Sequence, residues 1–342
     1  MSLSLVWSDR SADHIPPPGH PERVERAHVM RGVVDAWCGR AGAVIEPPPA
    51  TRAQVERIHA SGYVDRLASS AGYPAVLDLD TYMSPGSWEA ALLAAGAALT
   101  AVDLAMASGP RCALALTRPP GHHALRDRAM GFCLLNNVAI AVAHALDQGL
   151  TRVAVVDYDV HHGNGTQWAF YDDPRVLVIS LHQHPFYPQT GAAGECGVGP
   201  GEGFTVNIPL SAGAADADYL MLLERIVEPV LAAYAPQLLV LDAGFDAHDR
   251  DPLAHMHVST DGFRRIAARL RDAGARLCDG RVAMAVEGGY HLEALRESLL
   301  ATVDVLAGED VPPPREAGAA TRSGLVALEL VRSVQARYWP TL

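Results

Sequence analysis

Residue types that bind metal ions follow directly after one apolar segment of the chain. Residues 153–156 are all apolar, and Asp157, Asp159 and His161 come next at alternate positions. Because successive side chains of an extended chain point to opposite sides, these three are predicted to face the same way. Carboxylate and imidazole ligands at this spacing suit a divalent cation, and zinc is the first expectation. The alternative is a buried aspartate that only fixes a loop.

Other apolar segments also end in residues that can do chemistry. The polar side chains that follow them are His122 and His123, His182, Asp242 and Asp246, and Glu287 and Tyr290. In an open parallel sheet, ligands bind beyond the carboxyl ends of the strands, so these residues are predicted to meet at one rim. We expect Asp246 to be the third metal ligand, because Gly244 lets the backbone approach closely. Asp242 is the competing candidate, or a carboxylate that only hydrogen-bonds amides.

The predicted site contains the parts of a metal-assisted acid–base reaction. Three protein ligands leave one position open for water, as catalytic zinc requires. The adjacent His122 and His123 lie on a Pro-Pro-Gly loop, where one imidazole could activate a water molecule and the other protonate a leaving group. Asp157 and Asn164 are candidates for the acceptors that orient these imidazoles. Tyr290 could hydrogen-bond an oxyanion that forms at a carbonyl carbon.

The elements that must position these residues alternate between strand and helix. The predicted strands are 3–7, 112–116, 153–156, 176–181, 204–208, 238–241 and 281–286. The predicted helices are 22–40, 51–70, about 84–108, 133–148, 216–234, 260–278 and 292–307. This alternation predicts an α/β protein with a doubly wound, mainly parallel sheet and helices on both faces. No repeat, linker or change in composition divides the chain, so we predict one domain over residues 1–342.

Composition excludes several other classes of protein. The formal charge of −12 comes from 39 acidic and 27 basic residues without any basic block, so direct nucleic-acid binding is not expected. The five cysteines are scattered, which argues against disulfides and cysteine-ligated zinc. No leader pattern or long uncharged apolar stretch is present; the nearest, 90–107, contains Asp103. We therefore expect a cytoplasmic protein that does not span a membrane. Motifs of serine hydrolases and P-loop proteins are lacking.

Five sequence segments resemble those of the histone deacetylase / acetylpolyamine amidohydrolase family, in its order and with its spacing. They are Arg118-Pro-Pro-Gly-His-His-Ala124, Gly131-Phe-Cys-Leu-Leu-Asn-Asn137, Asp157-Tyr-Asp-Val-His-His-Gly-Asn-Gly-Thr-Gln167, Gly244-Phe-Asp-Ala247 and Glu287-Gly-Gly-Tyr290. The match runs from about Arg23 to residue 307 and looks like the class II and bacterial histone deacetylase-like branch. The resemblance implies an arginase–deacetylase fold and a zinc-dependent amidohydrolase that removes acetyl, or another acyl group, from an acylated ε-amine such as acetyl-lysine.

The resemblance also implies roles for the residues of the reacting centre. One zinc ion per subunit would be held by Asp159, His161 and Asp246. His122 and His123 would be the histidine pair, with His123 as the general acid/base and His122 as the partner of Asp157. Asn164 stands where other branches have aspartate, so His123 would be less strongly poised to carry a positive charge. Tyr290 would polarise the acetyl carbonyl together with the zinc.

Further residues are implied in binding the substrate and a structural cation. The substrate-binding set is Gly131, Phe132, Tyr187, Leu253, Asp80, Gly289 and Arg23. In this set Phe132 and Tyr187 would be walls of an acyl-lysine tunnel, and the Gly131 carbonyl would accept a hydrogen bond from the substrate amide. Asp80 would grip the substrate backbone at the rim, and Arg23 would lie near an internal acetate-exit cavity. A structural potassium ion would be bound, mostly by backbone carbonyls, at Asp157, Asp159, His161, Ser180 and Leu181.

The rim sequence bears on the choice of substrate. Leu253 occupies the place where the polyamine-selective branch has a gatekeeping glutamate, so a second cationic amine has no obvious partner there. This favours acetyl-lysine or other small acylated amines over acetylpolyamines, although other rim acids could substitute. A two-metal amide hydrolase and a non-catalytic acyl-lysine binder are the alternatives; the complete set of His122, His123 and Tyr290 speaks against a binder. The sequence leaves three points open: iron(II) in place of zinc, the acyl length, and a homodimer or homotetramer through loops 9–21 and 182–203.

Overall fold

An eight-stranded parallel sheet forms the centre of the molecule. A computed structural model describes residues 3–40, 42–107, 112–310 and 318–342. The strands are β1 (Leu3–Val6), β2 (Ala43–Ile45), β3 (Ala75–Asp78), β4 (Thr81–Met83), β5 (Cys112–Ala115), β6 (Val153–Asp157), β7 (Val176–Gln183), β8 (Thr205–Leu210), β9 (Leu238–Ala243) and β10 (Val282–Val286). The large sheet has the order β2-β1-β5-β10-β9-β6-β7-β8, and β3 and β4 form a separate antiparallel hairpin. The predicted parallel sheet is confirmed.

Helices connect the strands and cover both faces of the sheet. They are α1 (Glu25–Cys38), α2 (Arg52–Val55), α3 (Ser61–Ser69), α4 (Ser87–Met106), α5 (Asn137–Asp147), α6 (Asn164–Ala169), α7 (Asp216–Leu222), α8 (Glu228–Tyr234), α9 (Thr260–Leu277), α10 (Leu292–Leu306) and α11 (Arg322–Gln335). A π-helical turn over Leu223–Val227 joins α7 to α8, so the predicted helix 216–234 is one continuous rod. The β3–β4 hairpin and α11 were not predicted.

Several predicted helix boundaries were wrong. The predicted helix 51–70 is divided into α2 and α3, and the predicted helix 22–40 begins only at Glu25. The predicted helix 133–148 begins at Asn137, because the Asn136 side chain caps it by accepting a hydrogen bond from the Ala139 N–H at 2.8 Å. Residue 108, the predicted end of the long alanine-rich helix, lies outside the described residues, and α4 ends at Met106.

Two apolar cores lie on opposite faces of the sheet. Along β5, Leu114 packs into one core, while its neighbours Ala113 and Ala115 pack into the other. This alternation is expected for a strand that is buried on both faces, and it explains why the strands read as unbroken apolar runs. By length and composition α4 could cross a membrane, but 67% of its most apolar stretch is buried within the protein.

Candidate active site

The carboxyl ends of four neighbouring strands bring the predicted polar residues to one rim. Asp157 ends β6, and its Cα partners in the adjacent strands are Ser180 of β7 and Asp242 of β9. The loops after β5 and β10 carry the histidine pair and Tyr290 to the same place. The side chains that meet there, all buried, are His122, His123, Asp157, Asp159, His161, Asn164, Asp246 and Tyr290.

Asp159, His161 and Asp246 form a compact set of donor atoms. His161 Nδ1 lies 3.2 Å from Asp159 Oδ1 and 3.0 Å from Asp246 Oδ2, and one donor atom from each of the three residues lies within 4.8 Å of the others. Around a tetrahedral zinc with bonds of about 2.0–2.1 Å, ligand atoms are about 3.3 Å apart. The competing candidate Asp242 lies instead with His122 and Asp157. The structure therefore brings Asp246, and not Asp242, to the predicted metal centre.

The space around the two carboxylates is shaped by glycine. A Cβ atom on Gly244 would lie 2.0 Å from Asp159 Oδ2, and one on Gly288 would lie 2.2 Å from Asp246 Oδ2. Backbone N–H groups of Gly288 and Val160 donate to Asp159 Oδ2 at 2.8 Å and to Asp246 Oδ1 at 2.9 Å. These contacts leave one oxygen of each carboxylate facing His161, so the donor set and its cradle fit a zinc ion.

Burial and mutual charge shift the pKa values of this donor set. Burial and the neighbouring Asp159 raise the pKa of Asp246 to about 7. Burial opposes ionisation of Asp159, but the imidazoles of His122 and His161 outweigh it and lower the pKa of Asp159. Burial likewise disfavours the cation of His161, but the two carboxylates raise its pKa to about 10. Protons and a metal ion therefore compete for the same donor atoms.

The adjacent histidines are held by different partners. His122 Nδ1 lies 3.1 Å from Asp157 Oδ2, and His123 Nδ1 lies 2.7 Å from Asn164 Oδ1. Because an amide oxygen only accepts, it places the His123 proton on Nδ1 and leaves Nε2 free to accept.

The two imidazoles consequently differ in charge. Burial disfavours the cation of His122, but Asp159 and Asp157 outweigh it and raise the pKa of His122 well above its usual value. Burial and the positive charges of His122 and His161 lower the pKa of His123 well below its usual value. The pair therefore combines a cationic His122 with a neutral His123.

Glu287 and Asp157 fix the frame around the histidine pair. Glu287 Oε2 accepts hydrogen bonds from the backbone N–H groups of Gly121 at 2.6 Å and His122 at 3.1 Å. A Cβ atom on Gly163 would lie 2.2 Å from Asp157 Oδ2, so the turn after β6 needs glycine at this position. Burial raises the pKa of Asp157 to about 6, against the opposing charge of His122.

Tyr290 is buried beside the donor set and keeps its proton. Burial, followed by the charge of Asp246, raises the pKa of Tyr290 well above its usual value, so its hydroxyl remains a hydrogen-bond donor. Its ring packs edge-on against Phe132, with a centroid distance of 5.7 Å. Gly289 precedes it with φ +123°, a left-handed conformation that favours glycine.

Aromatic rings border the approach to this centre. Tyr187 contacts the rings of His123 and His161, with centroid distances of 5.1 and 6.1 Å. Gly131 and Phe132 both have positive φ, +57° and +68°, and a Cβ on Gly131 would overlap the His123 ring. The Gly131 carbonyl accepts a hydrogen bond from the Cys133 thiol at 3.2 Å. Phe132 and Tyr187 therefore both contact residues of the buried site, Phe132 through Tyr290 and Tyr187 through the two histidines.

The placement of Arg23 near an internal cavity was wrong. Arg23 is exposed and, with Leu253 and Tyr290, lines a cavity of about 590 Å³ at the rim. Arg26 occupies the interior instead: it is fully buried, and its guanidinium lies 5.1 Å from the Tyr290 ring centroid. The physical reason is the start of α1 at Glu25, which turns Arg26 inward along the same stripe as Met30 and Val33.

Three further residues near the site were not singled out from the sequence. Arg26 donates to the Gly289 carbonyl at 2.8 Å and to Glu22 Oε1 at 2.8 Å. Asp251 accepts from the backbone N–H groups of Tyr290 at 2.7 Å and Leu253 at 3.0 Å. His20 packs edge-on against Phe132, 4.6 Å between centroids. For Arg26, the only signal in the sequence was its spacing of four residues from Glu22, which suits an ion pair at the start of a helix.

Known proteins are similar to this chain over most of its length. The family described as histone deacetylase domain matches residues 19–306. A probable deacetylase of Archaeoglobus fulgidus is 39% identical over 92% of this chain and 89% of its own length. A histone deacetylase-like amidohydrolase of Pseudomonas aeruginosa is 40% identical over 85% of this chain and 77% of its own length. The polyamine deacetylase HDAC10 of Homo sapiens is 41% identical over 76% of this chain and 40% of its own length.

The fold is similar to a solved one as well. The crystal structure of the HDA15 HD domain matches with a TM-score of 0.92 and 34% identity, covering 99% of this chain and 96% of that one. The family match over residues 19–306 includes all the strand ends that carry the site. The chain therefore belongs to the histone deacetylase family of amide hydrolases.

Proposed function

We propose that this protein is a zinc-dependent deacylase that removes acetyl, or another acyl group, from an acylated ε-amine such as acetyl-lysine. The observation that carries the proposal is the meeting of the Asp159–His161–Asp246 donor set with His123 and Tyr290 in one buried site. One zinc ion would be held by those three donors. When bound, it would act as a Lewis acid toward the acyl carbonyl and a water molecule.

The protein's own residues divide the proton transfers. His123, with Nδ1–H donating to Asn164, would accept a proton from the attacking water at Nε2. As the water oxygen bonds to the acyl carbon, negative charge develops on the carbonyl oxygen, and the Tyr290 hydroxyl would donate to it. The C–N bond then breaks, and His123 would return the proton to the leaving amine. His122, whose pKa is raised by Asp159 and Asp157 against the effect of burial, would supply a positive charge beside this step.

A structural potassium ion is a second part of the proposal. Asp157 and Ser180 are Cα partners in adjacent strands, and Leu181 follows Ser180 in β7. Backbone carbonyls at these positions and at Asp159 and His161 would bind it, as hard cations prefer oxygen ligands. We propose that it stiffens the strand end that carries the zinc ligands.

Acetylpolyamines are the alternative substrate class. Leu253 lines the rim cavity without supplying a carboxylate for a distal ammonium, which supports acyl-lysine. The similarity to a human polyamine deacetylase supports the alternative. Asp78 and Asp80 support it as well, because they are carboxylates near Tyr187: burial raises the pKa of Tyr187 most, and the charges of both aspartates raise it further. A non-catalytic acyl-lysine binder would not need the neutral His123.

The test is turnover of the zinc-loaded protein on an acetyl-lysine peptide and on N-acetylputrescine, with and without a chelator. Hydrolysis of the peptide that stops with chelator and returns with zinc is the expected result. Faster hydrolysis of N-acetylputrescine would reassign the substrate class. Binding of both compounds without hydrolysis, in protein shown to contain zinc, would contradict the enzymatic proposal.

A further inference from the structure

Exposed apolar side chains are concentrated beside the rim of the site. Nine large apolar side chains are exposed among the described residues; four of them lie at position 15 and between positions 73 and 79, and three others lie on α11. These four are Ile15 (60% exposed), Tyr73 (70%), Val76 (73%) and Leu79 (94%). Single exposed apolar residues need no explanation, but a concentration of them marks a binding surface.

An apolar groove lies within this region. We call it the hairpin groove and define it by Ile15, Pro16, Pro17, Val76, Tyr82 and Pro85, which line a cavity of about 500 Å³. Val76 of β3 and Tyr82 of β4 are cross-strand partners, so their side chains share one face of the hairpin. The opposite wall is the rigid proline segment, which needs no ordering when a ligand binds.

The hairpin groove adjoins the rim cavity. Its wall of Ile15, Pro16 and Pro17 also lines the rim cavity that reaches Leu253 and Tyr290. The hairpin is tied to the tunnel wall, because the Phe132 N–H donates to Thr81 Oγ1 at 3.0 Å. A chain that crosses the proline segment from the rim cavity would therefore reach the groove.

The hairpin carries two acidic side chains that have no lysine or arginine partner among the described residues. Asp78 Oδ1 accepts from the Leu79 N–H at 2.8 Å, and Asp80 Oδ1 accepts from the Thr81 hydroxyl at 2.9 Å. Among the described residues, neither carboxylate forms an ion pair with a lysine or arginine. Free carboxylates beside an apolar groove suit a ligand with N–H groups or basic side chains next to an apolar one.

We propose that the hairpin groove binds the chain of a peptide or protein substrate, seating one large apolar side chain close in sequence to the acyl-lysine. The proposal rests on the deacylase function proposed above and narrows its substrate to acyl-lysine within a polypeptide. A small acylated amine would end at the tunnel mouth and leave the groove empty. A second copy of this chain is a less favourable ligand for the groove than a peptide. A two-fold contact through the hairpins would bring the negatively charged Asp78 and Asp80 of both copies together.

The experiment compares acetyl-lysine peptides that differ at one position. In an otherwise glycine- and serine-based peptide, a single leucine or serine is moved one residue at a time on either side of the acetyl-lysine. We expect leucine to raise kcat/KM over serine by about five- to tenfold at one or two positions on one side, as for partial burial of one leucine side chain. A monomeric acetyl-lysine amide is assayed alongside as the reference substrate.

Paired variants locate the effect. In the double variant Ile15→Ser/Val76→Ser we expect the leucine-to-serine ratio of kcat/KM to fall to about one. The matched control, Val198→Ser/Val326→Ser, removes two other exposed valines, which are 51% and 56% exposed, and should keep the full ratio. Thermal unfolding of both variants checks that the fold is intact.

Each other outcome overturns the proposal in an identifiable way. A leucine-to-serine ratio of kcat/KM near one at every position in the wild type, with the amide still hydrolysed, would show that the groove does not bind substrate. It would not contradict the deacylase function. If Ile15→Ser/Val76→Ser keeps the full leucine-to-serine ratio of kcat/KM, another surface binds the leucine side chain. A dimer in sedimentation that this variant alone abolishes makes the groove a contact between copies. Failure to hydrolyse the amide as well as the peptides overturns the deacylase function itself.

Discussion

The floor of the site and its rim are built in opposite ways. At the floor, Asp159 and Asp246 follow buried strands, and backbone N–H groups and glycine cradles fix their carboxylates. At the rim, Asp80 and Leu253 lie on a hairpin turn and a loop, next to exposed apolar side chains. The contrast indicates that the sheet fixes the chemistry, while a few loops choose what approaches it. Substitutions at the floor should therefore cost far more activity than substitutions at the rim.

The strongest test of that contrast removes a floor ligand. We expect His161→Ala to lose zinc affinity by more than the 10- to 100-fold that is usual for outer-shell partners, with turnover falling to background. The measurement is metal content after dialysis against a weak chelator, together with turnover. The control is His255→Ala at the exposed rim, which should keep its metal. A full zinc complement in His161→Ala would overturn the ligand assignment.

The next test removes one hydroxyl from the floor. Tyr290→Phe keeps the ring contacts with Phe132 and Arg26 but deletes the donor for the developing oxyanion. We expect turnover to fall by about 10²- to 10³-fold with zinc still bound. Tyr219→Phe is the matched control, because the buried Tyr219 hydroxyl has no hydrogen-bond partner among the described residues. Turnover retained in Tyr290→Phe would remove this residue from the mechanism.

A third test changes the pH dependence through His123. Burial and the charges of His122 and His161 hold its pKa low, so the neutral base persists into acidic solution. Asn164→Asp would place a carboxylate at Nδ1 and raise that pKa by about one to two units. Activity is lost as pH falls through this pKa, so the acidic limb of kcat/KM should move to higher pH by the same amount. An unmoved limb would mean that another group is the base.

Asp251 connects the two regions and gives a fourth test. Its carboxylate accepts from the N–H groups of Tyr290 at the floor and Leu253 at the rim. Asp251→Ala leaves these buried donors unpaired, so we expect the free energy of unfolding to fall by about 1–3 kcal/mol. We also expect kcat to fall by about tenfold, because Tyr290 is no longer held in place. Denaturant unfolding and steady-state kinetics measure both, with Asp272→Ala on the exposed side of α9 as control. A loss of stability without any change in kcat would limit Asp251 to a structural role.

The floor could be predicted from the sequence because strands fix it. The unbroken apolar run of β6 defines where that strand ends, so Asp157, Asp159 and His161 had to lie at the carboxyl end of the sheet whatever the loops did. The choice of Asp246 over Asp242 followed from Gly244, and a Cβ there would indeed collide with Asp159. For these residues the local sequence pattern and the overall fold predict the same positions.

The residues around the floor could not be predicted with the same certainty because they depend on helix boundaries and loop contacts. Arg23, which the resemblance implied, and Arg26 differ by less than one helical turn, and only the observed start of α1 at Glu25 shows that Arg26 is the buried one. Asp251 and His20 lie in loops without periodicity, and their partners are distant in the chain. Only the folded structure shows which N–H group or ring each one meets.

The smallest effect is expected at the rim itself. Leu253→Glu would add a carboxylate to the cavity beside Tyr290 and should favour N-acetylputrescine over the acetyl-lysine peptide by about two- to fivefold in kcat/KM, since an exposed ion pair contributes about 0.2–1 kcal/mol. The preference should weaken as salt is added, because solvent-exposed charges are screened. Leu253→Gln separates charge from size and should leave the ratio unchanged. An equal rise with glutamine would attribute the preference to polarity alone. If Leu253→Glu changed the substrate ratio of kcat/KM by as large a factor as Tyr290→Phe lowers turnover, the rim carboxylate would have to be desolvated with the substrate. That result would contradict the expectation that rim substitutions have much smaller effects than floor substitutions.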